Sequence, residues 1–224
     1  MAFADRTITG FNCRMKPKTL VIATLNENKA REIGDLLTDL PVHQISLSEL
    51  GLTEGAEERS LVSESVARAK AISATLRTAL PALAEDVSLE VDALNGAPGP
   101  LARRYFGPNL SDRDRCQALL RMLDGVPIVR RRCRFVCEMA VAFPWGEVFG
   151  AQGVLEGWIA LEPAGHFGFG YDPIFFVPTM GRTLAQLSLK EKNQISHRAK
   201  AFQALKRILV TRLSLEGVQG RCSD

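Results

Sequence analysis

The chain has 224 residues, of which 46% are hydrophobic and 24% charged, values typical of a globular protein with a substantial core. Its net charge of +3 is too small to indicate a nucleic-acid-binding protein, and no apolar segment approaches the roughly 20 residues of a membrane span. Residues 1–18 lack the apolar region of a signal peptide, so we expect a cytoplasmic protein. Five scattered cysteines argue against a disulfide framework.

The first predicted elements are a strand, a turn and a helix. Residues 19–24 form a β-branched apolar run, and the residues beyond the turn have apolar side chains at helical spacing. The turn holds Thr24, Asn26 and Lys29, whose hydroxyl, amide and ammonium donors collect where the helix begins. A helix start of this kind suits phosphate, although the P-loop pattern is absent and any strand-helix unit can carry such residues by chance.

An acidic loop and a long helix come next. Residues 42–47 predict a second strand, and the loop after it holds Glu54, Glu57 and Glu58. These acids either face solvent or supply one ligand to a hard cation. Residues 61–80 predict an alanine-rich helix that carries Lys70 and stops before Pro81.

Two adjacent carboxylates follow a short apolar run. Residues 82–84 predict a strand, which places Glu85 and Asp86 at its end. Such a pair suits Mg²⁺ binding and general-base chemistry, although exposed turn acids are an equal alternative. Ser111 is a candidate N-cap for a helix to about residue 123, and residues 132–143 and 147–155 flank a Pro-Trp-Gly turn that predicts a β-hairpin.

The stretch from 165 to 198 is the densest in functional residue types. Glycines alternate there with aromatic side chains around Phe169, Gly170 and Tyr171, a pattern that suits a base-stacking loop or, more simply, a turn with core aromatics. Asp172 then leads into an apolar strand at 174–177.

Basic residues gather where the last helix begins. Lys192, His197 and Arg198 bracket Ser196, a candidate N-cap for a helix over 196–213. Cationic groups at this place either bind anionic and carbonyl groups or form a solvated face. The chain shows no repeat or long linker.

Four motifs in this order resemble the inosine triphosphate pyrophosphatase family. They are TLNENK at 24–29, the acid pair with the following LEVDALNGAPG, FGYDP at 169–173 and EKNQISHR at 191–198. The last two are long and specific, and the resemblance runs from about residue 20 to residue 205. It covers nearly the whole chain.

The resemblance implies an α/β fold with a long twisted mixed sheet, flanking helices and two lobes around a central nucleotide-binding cleft. The single domain would span residues 19–213, between an N-terminal tail at 1–18 and a C-terminal tail at 214–224. Such enzymes are homodimers that use Mg²⁺ to cut inosine, deoxyinosine and xanthosine triphosphates between the α and β phosphates. The substrate is a small molecule, with no nucleic-acid or membrane partner.

The resemblance also implies a role for each matching residue. Asp86 would bind Mg²⁺ and activate the attacking water, with Glu57 as a second metal ligand. Phe169 would stack on the purine, while cationic and acidic groups would read its edge and hold the triphosphate. The implied substrate-binding residues are Thr24, Asn26, Lys29, Lys70, Phe169, Gly170, Tyr171, Asp172, Lys192, His197 and Arg198.

This chain departs from the family pattern around the phosphates. Leu25 stands in place of a glycine, and Val87 and Ser88 replace a small polar run after Asp86. A second hypothesis is therefore a weakly active or non-catalytic purine nucleotide-binding relative. A third, a nucleic-acid-binding module that uses Phe167, Phe169 and the arginine run at 130–134, would need a basic face that +3 does not promise.

Overall fold

The computed structural model describes residues 18–52 and 65–219, with side chains described up to residue 214. Within these ranges the chain forms eight strands and five α-helices. The strands are β1 (Lys18–Ile22), β2 (Val42–Ser46), β3 (Ala82–Val91), β4 (Pro98–Gly99), β5 (Arg132–Ala142), β6 (Val148–Ile159), β7 (Phe175–Val177) and β8 (Arg182–Thr183). The helices are α1 (Glu27–Leu36), α2 (Val66–Thr78), α3 (Asp112–Met122), α4 (Leu189–Ile195) and α5 (His197–Gln219).

All eight strands join one mixed sheet, in the order β2-β1-β3-β5-β6-β7-β8 with β4 paired to β3. β1 runs parallel to β2 and β3, and the other pairs are antiparallel. β1 pairs with β3 only as far as Leu83, and β4 joins that strand at Leu89. Between these two points, in the described part of the chain, one edge of β3 has no partner strand.

Helices cover both faces of the sheet and divide the core. The alanines of α2 pack on small residues of β3 and β5, while α1 and α5 pack on the opposite face. A separate apolar cluster joins α3 to the far ends of β3, β5 and β6. The predicted mixed α/β fold with flanking helices is confirmed. The cluster around α3 forms one lobe, and the clusters around α1, α2 and α5 form the other.

The start of α5 lies directly on β6 because Gly153 has no side chain. A Cβ at Gly153 would lie 2.1 Å from the carbonyl oxygen of His197 and 2.4 Å from the amide nitrogen of Ala201. Real Cβ atoms do not approach backbone so closely, so any larger residue would push the helix away. The sheet therefore sets the position of the first turn of α5.

The acid pair lies inside a strand, and the prediction that it ends a strand was wrong. β3 continues past Glu85 and Asp86 to Val91, because it stays paired with β5 from Ala82 to Val91. Successive side chains of a strand point to opposite faces, so the two acids serve different sides of the sheet.

Two helix boundaries also differ from prediction. α2 begins at Val66, with Ser65 as its N-cap residue, rather than at residue 61. α5 continues to Gln219, beyond the predicted end at residue 213. The hydroxyl of Ser196 accepts a hydrogen bond from the amide of Ala199 at 3.1 Å, as expected for its capping role.

Three cysteines, Cys116, Cys133 and Cys137, are buried free thiols. Burial raises the pKa of each, so these three thiols are unreactive core side chains. Among the described residues no helix is both long and apolar enough to cross a bilayer.

Candidate active site

A cleft of about 930 Å³ lies between the lobes, beside the unpaired edge of β3. This volume is at the upper end of the range for small-molecule sites. All predicted site residues in the described part of the chain line it: Thr24, Asn26, Lys29, Lys70, Asp86, Phe169, Gly170, Tyr171, Asp172, Lys192, His197 and Arg198. Glu57 and its acidic neighbours Glu54 and Glu58 lie outside the described residues.

The turn before α1 forms one wall of the cleft. Asn26 is the N-cap, and its side-chain oxygen accepts hydrogen bonds from the amides of Asn28 at 3.0 Å and Lys29 at 3.2 Å. The hydroxyl of Thr24 accepts from the amide of Asn26 at 3.2 Å. Leu25 is half-exposed beside them and needs no left-handed backbone. Hydrogen bonds thus hold this turn together, and Leu25 adopts an ordinary backbone conformation in it.

Asp86 faces α2 across the cleft floor. Its Oδ1 lies 2.9 Å from Nζ of Lys70, and its side chain is 23% exposed. Lys70 is one turn into α2, which packs directly on β3 and thereby fixes the distance. Asp86 is thus an accessible carboxylate that a neighbouring cation orients.

Glu85 points to the opposite face and enters a buried ion cluster. Its carboxylate contacts Nε of Arg198 at 3.0 Å, Nη2 of Arg198 at 3.1 Å and Nζ of Lys29 at 2.9 Å. Its side chain is fully buried. The two acids are adjacent in sequence but have different contacts. Asp86 faces the cleft, whereas Glu85 binds the buried cations Arg198 and Lys29.

Glu32 completes the buried ion cluster. Its carboxylate pairs with Nη1 of Arg198 and lies 2.7 Å from Nζ of Lys192, which is also 2.5 Å from Asp172. The cluster therefore contains three acids and three bases. Buried charges are stable only when paired in this way, so removing one member leaves the others uncompensated. The members are Lys29, Glu32, Glu85, Asp172, Lys192 and Arg198.

The cluster fixes which of its groups are charged. Burial opposes ionisation of Glu85, but the positive charges of Arg198 and Lys29 outweigh it and hold the pKa of Glu85 far below its usual value. Burial also opposes the charge on Arg198, yet Glu85 and Glu32 raise the pKa of its guanidinium. The Glu85–Arg198 pair is ionised at every physiological pH.

In two neighbouring side chains, Asp172 and His197, the pKa shifts instead favour the neutral form. Burial raises the pKa of Asp172, and the charge of Lys192 only partly offsets this effect. Burial and the positive charges of Arg198 and Lys192 hold the pKa of His197 well below its usual value. His197 is therefore a neutral imidazole, and its Nδ1 is buried without a hydrogen-bond partner among the described residues.

The Phe169 ring lies over the cationic groups. Nζ of Lys192 is 5.1 Å and Cζ of Arg198 is 5.5 Å from the ring centre. The backbone amide of Phe169 donates to Oδ2 of Asp172 at 2.9 Å. This bond requires Gly168, because a Cβ there would lie 2.1 Å from the same oxygen. The loop therefore presents a flat aromatic face next to hydrogen-bond donors.

The sequence prediction missed three residues at the site. Glu32 lies next to Ile33 on the buried side of α1, and an acid beside the apolar face of a helix was the signal available. Asp112 and Arg115 lie in the first turns of α3 and line the cleft. In the sequence they look like ordinary charges at a helix start, so nothing distinguished them.

The described residues contain no group of three His, Cys, Asp or Glu side chains that could hold a metal ion. Mg²⁺ does not need such a group, because it keeps several waters and binds one or two carboxylates together with substrate phosphates. Asp86, an accessible carboxylate on the cleft, is a suitable donor. The residues therefore fit a magnesium ion that arrives with a phosphate ligand.

Comparison with known proteins gives a consistent result. The model of the Ham1 family matches residues 20–208. A dITP/XTP pyrophosphatase of Geobacillus kaustophilus is 43% identical over 189 residues, which cover 84% of this chain and 92% of that protein. A dITP/XTP pyrophosphatase of Bacillus subtilis is 38% identical, with 86% of this chain and 97% of that protein covered.

Solved structures resemble the fold over the same range. The Staphylococcus aureus Ham1 protein has a TM-score of 0.74 and 38% identity, covering 87% of this chain and all of that one. A HAM1 protein from Coxiella burnetii has a TM-score of 0.75 and 39% identity, covering 87% of this chain and 99% of that one.

Proposed function

The chain belongs to the Ham1 family, and from this premise we propose that it hydrolyses the triphosphates of inosine, deoxyinosine and xanthosine to monophosphates and pyrophosphate. The observation that carries this proposal is the composition of the cleft. One end holds an aromatic ring beside buried cations, and the other holds Asp86 beside Lys70 and a helix start. The first end suits an oxidised purine and the second a phosphate chain.

At the base end, we propose that the purine stacks on Phe169 and that buried donors read its edge. Three of the five N–H groups of Arg198 bond to Glu32 and Glu85 within the described structure, which leaves two for a ligand. Lys192 likewise bonds to two carboxylates and has three N–H groups. Both side chains are held in place while keeping donors for the purine.

These donors favour an oxo group over an amino group. The 6-oxo group of hypoxanthine or xanthine accepts hydrogen bonds, whereas the 6-amino group of adenine would leave a buried donor unpaired. An unpaired buried donor costs ~1–3 kcal/mol, so each such group discriminates against adenosine triphosphate. The proposed specificity follows from this difference.

At the phosphate end, we propose that Thr24, Asn26, Lys29 and Lys70 hold the triphosphate. The positive end of the α1 dipole and the two ammonium groups place positive charge along the cleft wall, while Asn26 already accepts hydrogen bonds from the amides of Asn28 and Lys29. When bound, Mg²⁺ supplies further positive charge that stabilises the leaving pyrophosphate. Asp86, with Glu57 as a second proposed ligand, would hold this ion.

The chemical step uses Asp86 as general base. Its carboxylate accepts a proton from the water that attacks the α phosphorus, while Lys70 keeps the carboxylate in position. The bond between the α phosphorus and the bridging oxygen breaks as pyrophosphate leaves. The accessible Asp86–Lys70 pair is why we favour an enzyme over a non-catalytic nucleotide-binding relative.

Product analysis tests this reaction. Inosine triphosphate is incubated with the protein and Mg²⁺ in ¹⁸O-labelled water, and the products are separated by chromatography and weighed by mass spectrometry. We expect inosine monophosphate that carries the label, with unlabelled pyrophosphate. Inosine diphosphate with orthophosphate, or labelled pyrophosphate, would contradict attack at the α phosphorus.

We further propose that the protein is cytoplasmic and that it forms a homodimer, the assembly that the family resemblance implies. The location is supported by the substrate, because nucleoside triphosphates are made and used in that compartment. Analytical ultracentrifugation tests the assembly: we expect a species of twice the 24.6 kDa chain mass at micromolar concentration. A single monomeric species at all concentrations would exclude the dimer.

A further inference from the structure

The N-terminal turn of α3 holds the backbone of the Phe169 loop. Oδ2 of Asp112 accepts a hydrogen bond from the amide of Gly170 at 2.6 Å. The thiol of Cys116, one turn further along α3, donates to the carbonyl oxygen of Gly170 at 3.3 Å. Both polar backbone groups of Gly170 therefore bond to a helix that lies 54 to 58 residues earlier in the chain.

Packing alone does not hold this glycine. Its backbone has a left-handed φ of +63°, and a Cβ there would meet no atom within 4 Å. The neighbouring Phe167 is 49% exposed, so the loop has an open outer side. The hydrogen bonds from α3 therefore act together with those to Asp172 and Ala185 in fixing where the loop, and with it the ring of Phe169, lies.

Arg115 holds the Asp112 carboxylate from behind. Its Nη1 pairs with Oδ1 of Asp112, the oxygen that does not bond to Gly170. The Arg115 side chain is only 9% exposed, and its Nε has no hydrogen-bond partner among the described residues. A buried guanidinium with an unpaired N–H costs free energy, so the ion pair with Asp112 is its main stabilising contact.

From these contacts we propose that Asp112, backed by Arg115, is a positioning residue for purine recognition. It fixes the Phe169–Gly170 peptide and so sets the distance between the stacking ring and the buried donors of Lys192 and Arg198. This inference rests on the proposed function. Asp112 acts through the loop and does not take part in proton transfer or phosphate binding.

The role predicts a particular kinetic pattern. In Asp112→Ala the loop loses its anchor, so base binding weakens while the chemistry at Asp86 is intact. We expect KM for inosine triphosphate to rise at least tenfold and kcat to change less than threefold. Asp112→Asn keeps an acceptor oxygen for the Gly170 amide, so it should restore KM to within about threefold of the wild type.

A matched control lies in the same helical turn. Asp114 is an exposed acid of the first turn of α3 that bonds to Ser111 and does not contact the loop. Asp114→Ala removes a similar charge from the helix start without touching Gly170. If it raised KM as much as Asp112→Ala does, the effect would be a general weakening of α3 and the proposal would be wrong.

A readout independent of activity separates this inference from the proposed function. Amide hydrogen exchange of the peptide that covers residues 166–172 is measured without nucleotide in the wild type and the three variants. We expect faster exchange at Gly170 in Asp112→Ala only. Unchanged exchange with unchanged KM would overturn the positioning role, whereas a wild type inactive on every purine triphosphate would contradict the proposed function alone.

Discussion

At the scale of single residues, Glu85 and Asp86 are adjacent carboxylates with different environments and different proposed roles. Glu85 is fully buried and bonds to two cations, whereas Asp86 is accessible on the opposite face and contacts Lys70. Two adjacent carboxylates on a strand thus have different environments. Substitution of either acid by its amide should therefore have different effects.

Asp86→Asn should abolish turnover and preserve binding. The amide keeps the shape of the side chain but cannot accept the proton of the attacking water, so we expect kcat for inosine triphosphate to fall by at least 10²-fold. Calorimetry should show a dissociation constant within about threefold of the wild type. The control is Asp92→Asn, which changes an exposed acid just after the same strand. Near-normal turnover in Asp86→Asn would exclude Asp86 as the base.

Arg198→Ala should impair both stability and base selection. It leaves Glu32 and Glu85 buried without their main partner, and breaking such a pair costs about 3–5 kcal/mol of unfolding free energy. We expect a large fall in Tm and a smaller preference for inosine over adenosine triphosphate. Arg134→Ala removes an ion-paired arginine that is 51% exposed, and it should change neither property. Unchanged base preference in Arg198→Ala would remove Arg198 from purine recognition.

His197 should make stability depend on pH in the acidic range. Its pKa is lowered in the folded protein, so at low pH the unfolded chain binds a proton that the folded state does not. Above the unfolded-state pKa of about 6.5, His197 is neutral in both states and does not reduce the unfolding free energy. Below that pH the unfolding free energy falls by about 1.4 kcal/mol per pH unit.

The test compares unfolding free energies from urea titrations at pH 5.0, 5.75 and 6.5. His197→Gln should have a shallower pH dependence than the wild type, whatever its absolute stability. His166→Gln, which alters an exposed histidine, should keep the wild-type slope. Equal slopes in all three proteins would show that His197 binds its proton equally well in the folded and unfolded states, which contradicts a lowered pKa.

At the scale of elements, the contact between β6 and α5 couples the sheet to the site. Gly153→Ala would place a Cβ 2.1 Å from the His197 carbonyl oxygen, so α5 must shift. We expect the unfolding free energy to fall by about 1–3 kcal/mol, as in other overpacked cores. We also expect a higher KM for inosine triphosphate.

Gly150→Ala is the control for this change. It lies on the same strand, but its Cβ would meet only the flexible end of Arg68 at 3.2–3.5 Å. Both variants are compared by thermal denaturation and steady-state kinetics. If the two had the same small effect, close packing at Gly153 would not set the position of α5.

The sequence predicted those parts of the site whose residues lie close together along the chain. The FGYDP and EKNQISHR motifs predicted one end of the cleft, because glycines, aromatics and cations were close together along the chain. The acid pair was misplaced at a strand end, because the pairing with β5 that extends β3 comes from residues about fifty positions away. Glu32 and Asp112 escaped prediction for the same reason: their partners are distant in sequence.

At the scale of the whole molecule, the cleft exists because β1 and β4 pair with different parts of one edge of β3. β1 leaves the strand after Leu83, and β4 joins it only at Leu89. The acid pair lies in the gap between them, where ligands can reach Asp86 and where α1 and α5 meet the opposite face. The sheet topology thus places the Glu85–Arg198 pair on one side of β3 and the Asp86–Lys70 pair on the other.

Pyrophosphate release from inosine triphosphate tests the proposed enzyme. It is measured beside adenosine and guanosine triphosphates, with Mg²⁺ present and then chelated. We predict rapid release from inosine triphosphate with Mg²⁺, a kcat/KM at least tenfold lower for the adenosine compound, and loss of activity on chelation. Equal rates with all three nucleotides, or saturable binding of inosine triphosphate without release, would contradict the proposed enzyme.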